Sequence, residues 1–329
     1  MPTGCRIAVI ANDALGNYVV LTPLLQMLRS KYAPSALDLF TGHRTQELWS
    51  RDPLVSDGFL AMDTTKGDAR ARSESEYDLI INIEASRWAK LLCASLASGA
   101  AYVVGPCFCN DSLQELPAAP DNRGALSVDP DWTSPNLVAM YPFLDSPFIG
   151  EILCRLAYLD GPIPSYSVPK EETEGQIPDV LIAVSASLED KLWPSEKWIE
   201  TLSWMRELRL DIGLIGASPI EQQKYWVGNV TEGEILLNGL ASDLRGKFRL
   251  PEVVGALQRA RLVLSIDNGI MHLGAAVNAP VIGLFRENFH RLWAPPVQSV
   301  QVISPGIDHR VADIDVARVK EAIYLAMGT

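Results

Sequence analysis

Several things are scarce in this chain, and each scarcity removes a class of function. No apolar run approaches the roughly 20 residues that a helix needs to cross a bilayer. The opening MPTGCRIAVIAND has no basic stretch followed by a long apolar one, so no signal peptide is expected and the expected location is cytoplasmic. Positive charge is in deficit: 28 Lys and Arg stand against 40 Asp and Glu, a formal net charge of −12. The deficit is shared along the chain, 12 basic against 19 acidic residues in 1–165 and 16 against 21 in 166–329, which argues against a nucleic-acid partner. Membrane contact is at most peripheral, through local groups such as Arg44 with Arg51 or Lys66 with Arg70 and Arg72. Only four histidines are present, at 43, 272, 290 and 309, too few for a His-rich metal site. Five cysteines, an odd number, fall at 5, 93, 107, 109 and 154 without zinc or disulfide spacing. They read as buried reduced thiols, Cys107-Phe108-Cys109 being the nearest approach to a redox or metal pair. No G-x-G-x-x-G follows either candidate first strand and no P-loop is present, which disfavours a nicotinamide dehydrogenase and a P-loop kinase.

What is present is the pattern of a folded α/β protein. At 329 residues and 48% hydrophobic content the chain is long enough for two domains, each with a core. Apolar runs at Arg6–Ala11, Ala36–Thr41, Tyr77–Ile83 and Ala101–Gly105 alternate with helical spacing over Tyr18–Tyr32 and Trp88–Leu96, with Pro23 expected near a helix start. This alternation predicts a parallel sheet wrapped by helices. Residues 107–147 are rich in Pro, Asp and Ser and read as loops, a candidate lid or acceptor-side segment. Ser146–Leu159 is a candidate helix, and residues 160–178, with Gly161-Pro162-Ile163-Pro164 and Lys170-Glu171-Glu172, form the best linker candidate. The rhythm then restarts with strands at Val180–Ser185 and Asp211–Ile215, and helices at Ser195–Glu207, Ile220–Val227 and Pro251–Ala260. Two domains follow, 1–165 and 166–329. The last helix, Asp313–Met327, carries an apolar face and is a candidate to pack back on the first domain.

The stretch SIDNGIMHLGAAVNAPVIGLF, Ser265–Phe285, reads strand, turn, helix, strand. Its turn would lie at the carboxyl end of a parallel strand, where open α/β sheets bind ligands, and the Gly269 and Ile270 amides would face a phosphate at the helix N-terminus. Asp267 repels phosphate. It either accepts hydrogen bonds from sugar hydroxyls beside one or simply caps the helix. Lys191, before Trp193-Pro194 at the end of another strand, suits phosphate as a point charge, or is a solvated surface lysine. The combination points to a sugar nucleotide.

Taken together these stretches resemble one family. ALGNYVVLTPLLQML, Ala14–Leu28, looks like the N-terminal glycine loop and helix of the ADP-heptose:lipopolysaccharide heptosyltransferases. EDKLWPSEKW, Glu189–Trp198, looks like their lysine-tryptophan-proline motif, and Ser265–Phe285 looks like their aspartate-x-glycine and histidine-leucine-x-alanine-alanine signature. The resemblance implies a GT-B architecture, two Rossmann-like domains facing across a cleft, the first on the acceptor side and the second holding the nucleotide sugar. It implies an inverting, metal-independent transfer, without cofactor, of a heptose or related sugar from a nucleotide diphosphate, ADP-linked by analogy. The acceptor would be a hydroxyl of a saccharide, a lipopolysaccharide core or a small molecule. It places Lys191 on the donor phosphates, Asp267 on the transferred sugar, Asn268, Gly269 and His272 along the pyrophosphate, and Glu221 on the nucleoside side. His272 reads equally as a residue packed against the sheet.

Two departures from the family pattern stand out. Its loop carries Gly-Asp, the aspartate regarded as the base; here the pair is Gly16-Asn17, and an amide takes up no proton. Asp13 in the same loop is the favoured replacement, with an acceptor that needs little base and a loss of activity as alternatives. After Phe285 the chain continues Arg286-Glu287-Asn288-Phe289-His290 in place of a Gly-Pro-Thr type loop, and Arg286 becomes a candidate phosphate ligand. The competing functions are a catalytically impaired sugar-nucleotide-binding protein and another GT-B-like enzyme, such as a sugar-nucleotide epimerase.

Overall fold

A computed structural model describes residues 4–61, 76–97, 100–109, 112, 114–306 and 309–328. The basic group Lys66, Arg70 and Arg72 lies outside them. The chain divides into two compact units, Met1–Pro169 and Lys170–Thr329.

In the first unit β1 (Arg6–Ile10), β2 (Ala36–Thr41), β3 (Asp57–Leu60), β4 (Leu79–Asn82) and β5 (Tyr102–Val104) form a parallel sheet in the order β3-β2-β1-β4-β5. The central strands RIAVI, ALDLFT and LIIN are buried almost throughout, as near-continuous apolar runs covered on both faces must be. β3 escapes the sequence pattern because DGFL starts with a charge and a glycine. Gly58 is needed there, since a Cβ would fall inside the Trp49 ring.

The first helix runs over Leu15–Tyr32, three residues earlier than periodicity suggests, so Gly16 and Asn17 stand in its first turn. Pro23 is consequently well inside the helix, where its ring removes an amide. The Val19 carbonyl left without that amide accepts the Thr22 hydroxyl at 2.8 Å, which offsets part of the loss. The 107–147 segment is not a free loop. Leu126, Leu137 and Leu144 are buried in it, it holds short helices at Asn122–Ser127 and Leu137–Met140, and Phe108 pairs with Glu115. Nor is 160–178 a free linker. Gln26 donates to the Ser165 carbonyl and the Ser167 amide to Thr22 Oγ1, while Thr173 Oγ1 donates to the Glu252 carbonyl and Arg259 to those of Thr173 and Gly175.

In the second unit β6 (Val180–Ala183), β7 (Ile212–Leu214), β8 (Ser242–Asp243), β9 (Leu262–Ile266), β10 (Val281–Leu284) and β11 (Val300–Ile303) form a parallel sheet in the order β11-β10-β9-β6-β7-β8. Its core includes Trp193 and Trp198, edge to face at 5.1 Å, on the Ser195–Glu207 helix and the turn before it. The last helix, Val316–Met327, places Val316, Val319, Ala322, Ile323 and Met327 in this same core. Its apolar face therefore lies in the core of its own unit. No helix of the described residues is long and apolar enough to cross a membrane.

Candidate functional site

Each sheet has one point where the strand order reverses, between β6 and β9 in the second unit and between β1 and β4 in the first. The loops leaving such strands diverge to opposite faces and open a crevice at the carboxyl ends. In the second unit those loops carry most of the residues singled out from sequence.

Lys191, in a short turn Glu189–Lys191 after β6, puts Nζ 2.7 Å from Asp267 Oδ2, directly after β9. The Asp267 side chain is only 3% exposed and that of Lys191 17%. A carboxylate so withdrawn from water needs its cation, and a lysine with three donors has capacity left for a phosphate oxygen. Asn268 caps the Gly269–Ala276 helix: its Oδ1 accepts from the Ile270 and Met271 amides at 3.0 and 3.2 Å. Two expectations are corrected here. The cap is Asn268 and not Asp267, which leaves Asp267 for pairing, and the Ile270 amide is already engaged and not offered to a phosphate. Asn268 Nδ2 also donates to the Ser185 carbonyl at 3.1 Å, tying the two strand ends together. Gly269 opens the helix.

His272, one turn further on, is 2% exposed and lies edge to face with Trp293. Burial pushes its pKa down to about 4; the Asp267 carboxylate opposes that and the Lys191 ammonium adds to it. It is a neutral imidazole, packed against Trp293. Arg286, after β10, donates to Asp190 Oδ2 at 2.6 Å and lies over the Phe289 ring, 3.7 Å from its centroid. Its guanidinium thus enters the same turn as Lys191, held by an aspartate that the sequence reading passed over. Glu221 stands in the first turn of the Pro219–Tyr225 helix, which Ser218 caps, and pairs with Lys224 at 2.8 Å on a half-exposed face. A buried brace was also missed. Glu232, 1% exposed, accepts from the Ser185 hydroxyl at 2.5 Å and from Arg245 at 2.7 Å, fixing the loop that follows β6. No sequence signal set it apart from Glu234, two residues further along the same helix.

In the first unit the loops after β1 and β4 bring together Asn12, Asp13, Asn17 and Glu84. Asn12 Oδ1 accepts from the Ala14 amide at 3.0 Å and from Asn17 Nδ2 at 2.9 Å; its Nδ2 donates to Glu84 Oε2 at 2.8 Å. Asp13 points elsewhere. It is 4% exposed, Arg44 Nε and Nη2 grip its Oδ1 at 2.8 and 2.6 Å, and the Arg44 amide faces its Oδ2. Gly42 backs it so closely that a Cβ would collide with the carboxylate. Asp13 is corrected from candidate base to anchor, because the oxygens a substrate hydroxyl would need are buried and taken. Gly16 stands beside Asn17 in the first turn of the helix.

The five cysteines are free thiols, four of them buried. Among the described residues no group of three or more His, Cys, Asp or Glu is arranged to hold a metal ion.

Two parallel Rossmann-like sheets, each with its polar cluster at the switch point, are the architecture of the GT-B fold. A glycosyl transferase family 9 protein from Veillonella parvula DSM 2008 is similar over 99% of this chain and 98% of its own, with a TM-score of 0.73 at 14% identity. The Escherichia coli ADP-heptose lps heptosyltransferase II is similar over 98% of each chain, with a TM-score of 0.70 at 18% identity. In sequence, lipopolysaccharide heptosyltransferase 3 of Escherichia coli is 20% identical over 295 residues, 85% of this chain and 83% of that protein. Residues 164–316 match the family model described as glycosyltransferase family 9 (heptosyltransferase). The sequence match to the heptosyltransferase family thus lies almost wholly in the second unit, the likeness of fold extends over the whole chain, and together they indicate a glycosyltransferase.

Proposed function

We propose that this protein transfers a heptose or closely related sugar from an ADP-linked donor to a hydroxyl of a saccharide or lipopolysaccharide-core acceptor, with inversion, in the cytoplasm and without a metal. The observation that carries the reading is the Lys191–Asp267 pair at the β6/β9 switch point. As the glycosidic bond breaks, negative charge accumulates on the departing diphosphate. Lys191, fixed by a buried carboxylate, stabilises that charge without reorganising. Asp267, freed from capping by Asn268, is the acceptor for hydroxyls of the bound sugar. Arg286 adds a second cation to the same turn. The ADP-heptose in the name of the similar E. coli enzyme supports the choice of donor. The acidic surface, at a net charge of −12, favours a saccharide over close docking on an anionic lipid core.

The test is calorimetric titration of the purified chain with ADP, GDP, UDP and their sugar conjugates, in the presence and absence of EDTA, followed by chromatography for released diphosphate. Preferential ADP binding with EDTA-resistant release of ADP from ADP-heptose is the expected result. Binding of none of the three diphosphates overturns the reading. Asn17, at the position where the family places its base, favours a second reading, a binding protein that never cleaves its ligand; ADP-heptose bound but intact across a panel of acceptors would establish it.

A further inference from the structure

We infer that Glu84 is the general base of this enzyme, the group that takes the proton from the acceptor hydroxyl. The inference rests on the transferase reading above and goes beyond it in naming a residue for a step that Asn17 cannot perform. Two carboxylates flank the β1/β4 switch point, Asp13 and Glu84, and their surroundings separate them. Asp13 is buried beneath Arg44, with Oδ1 held twice and Oδ2 packed on Gly42. Glu84 is half-buried, and none of the ion pairs among the described residues involves it. It follows β4 by two residues, its amide donating to Asn82 Oδ1 at 2.9 Å, so the backbone is fixed. Its carboxylate accepts one hydrogen bond on each oxygen, from the Ser86 amide at 2.9 Å and from Asn12 Nδ2 at 2.8 Å. Each oxygen keeps a lone pair, and no cation among the described residues is paired with it.

The polarity of this arrangement is set by the backbone. The Ala14 amide can only donate, so the Asn12 atom facing it is oxygen, and the amide nitrogen is left to face Glu84. Asn17 donates to the same Asn12 oxygen and completes a relay, Asn17 to Asn12 to Glu84, at the crevice end of the sheet. The position that carries a carboxylate in the resembling family is here an amide that supports a carboxylate on the neighbouring strand. In the step itself the acceptor O–H proton moves to a Glu84 oxygen as the acceptor oxygen bonds the anomeric carbon. The anomeric bond to the diphosphate breaks with its electron pair leaving on ADP, and Glu84 then returns the proton to water.

The test uses the full-length protein, ADP-heptose as donor, and two kinds of nucleophile: water or a saccharide hydroxyl, which must lose a proton, and azide, which has none to lose. Glu84→Gln should lower ADP release to hydroxyl nucleophiles by about 100-fold or more, leave calorimetric ADP affinity within about twofold, and retain azide-driven release with formation of the glycosyl azide. Only a group whose work is proton removal gives that split. Unchanged release to hydroxyl nucleophiles would overturn the assignment, as would an equal loss with azide, which would make Glu84 a structural residue. Wild-type protein that binds no ADP and releases none would overturn the transferase reading together with this one, whereas active wild type with indifferent Glu84→Gln overturns this one alone.

Discussion

The two units have the same architecture and divide the polar chemistry differently. Both are parallel sheets with a single reversal of strand order, and in both most of the candidate side chains stand in the loops leaving the two strands at that reversal. In the second unit the crevice is built on opposite charges held together, Lys191 on Asp267 and Arg286 on Asp190, the disposition expected where a diphosphate and a polyol must be held at once. In the first it is built on amides and one uncompensated carboxylate, Asn17, Asn12 and Glu84, with the ion pair Asp13–Arg44 pushed to the side as an anchor. A site that carries away a proton gains from a carboxylate without a cation, and a site that neutralises a leaving group gains from the reverse. The same switch-point geometry serves both because it fixes where loops converge and not what they carry.

The comparison can be broken at its anchors. Replacing Arg44 with Ala should cost the largest share of stability, about 3 kcal/mol, since it leaves the Asp13 carboxylate buried without its partner; the thermal midpoint should fall while a Glu84-dependent rate, assayed at low temperature, persists. A comparable effect should come from pH in the second unit. His272 has a folded pKa near 4 against an ordinary 6.5, so the unfolded chain binds the extra proton between those values. Stability is therefore intact above about pH 6.5 and declines as pH falls toward 4, by about 3 kcal/mol in all. Thermal melts across that window should show the slope, and His272→Gln should flatten it.

Lys191→Ala should weaken ADP binding by about tenfold or more, the worth of a charge-assisted hydrogen bond to phosphate. Calorimetry measures that loss, and adding Asp267→Ala should restore part of the stability that Lys191→Ala removes, because the orphaned carboxylate is then gone as well. The smallest expected effect is that of Asn268→Ala, about 1 kcal/mol for a lost helix cap, detectable as a small drop in the melting midpoint with ADP binding weakened through the released Ser185 strand end.

Legibility differed between the units in the same way. The second unit was readable because its chemistry sits on contiguous stretches, Glu189–Trp198 and Ser265–Phe285, where a motif keeps its residues within one loop or one turn; the family match over residues 164–316 covers almost only this unit. In the first unit the cluster joins Asn12 to Glu84, which are 72 positions apart, and no spacing rule connects them. Asp13 was attractive in sequence because it stands in the right loop. That it faces Arg44 is settled by Gly42, on a different strand end.

Sequence alone determined the α/β alternation, the two-part chain, and the residues of the Lys191 and Asp267 loops, since burial of β-branched runs and the requirements of turns and helix starts are local. Tertiary structure decided which side chains meet. It gave the cap to Asn268 and the ion pair to Asp267, buried His272 as a neutral ring, and kept the last helix on its own core. It also left Glu84 as a carboxylate that no cation among the described residues pairs with at the first crevice. Each of those outcomes depends on distances between strands and on exclusion of water, which arise only when the sheet is assembled.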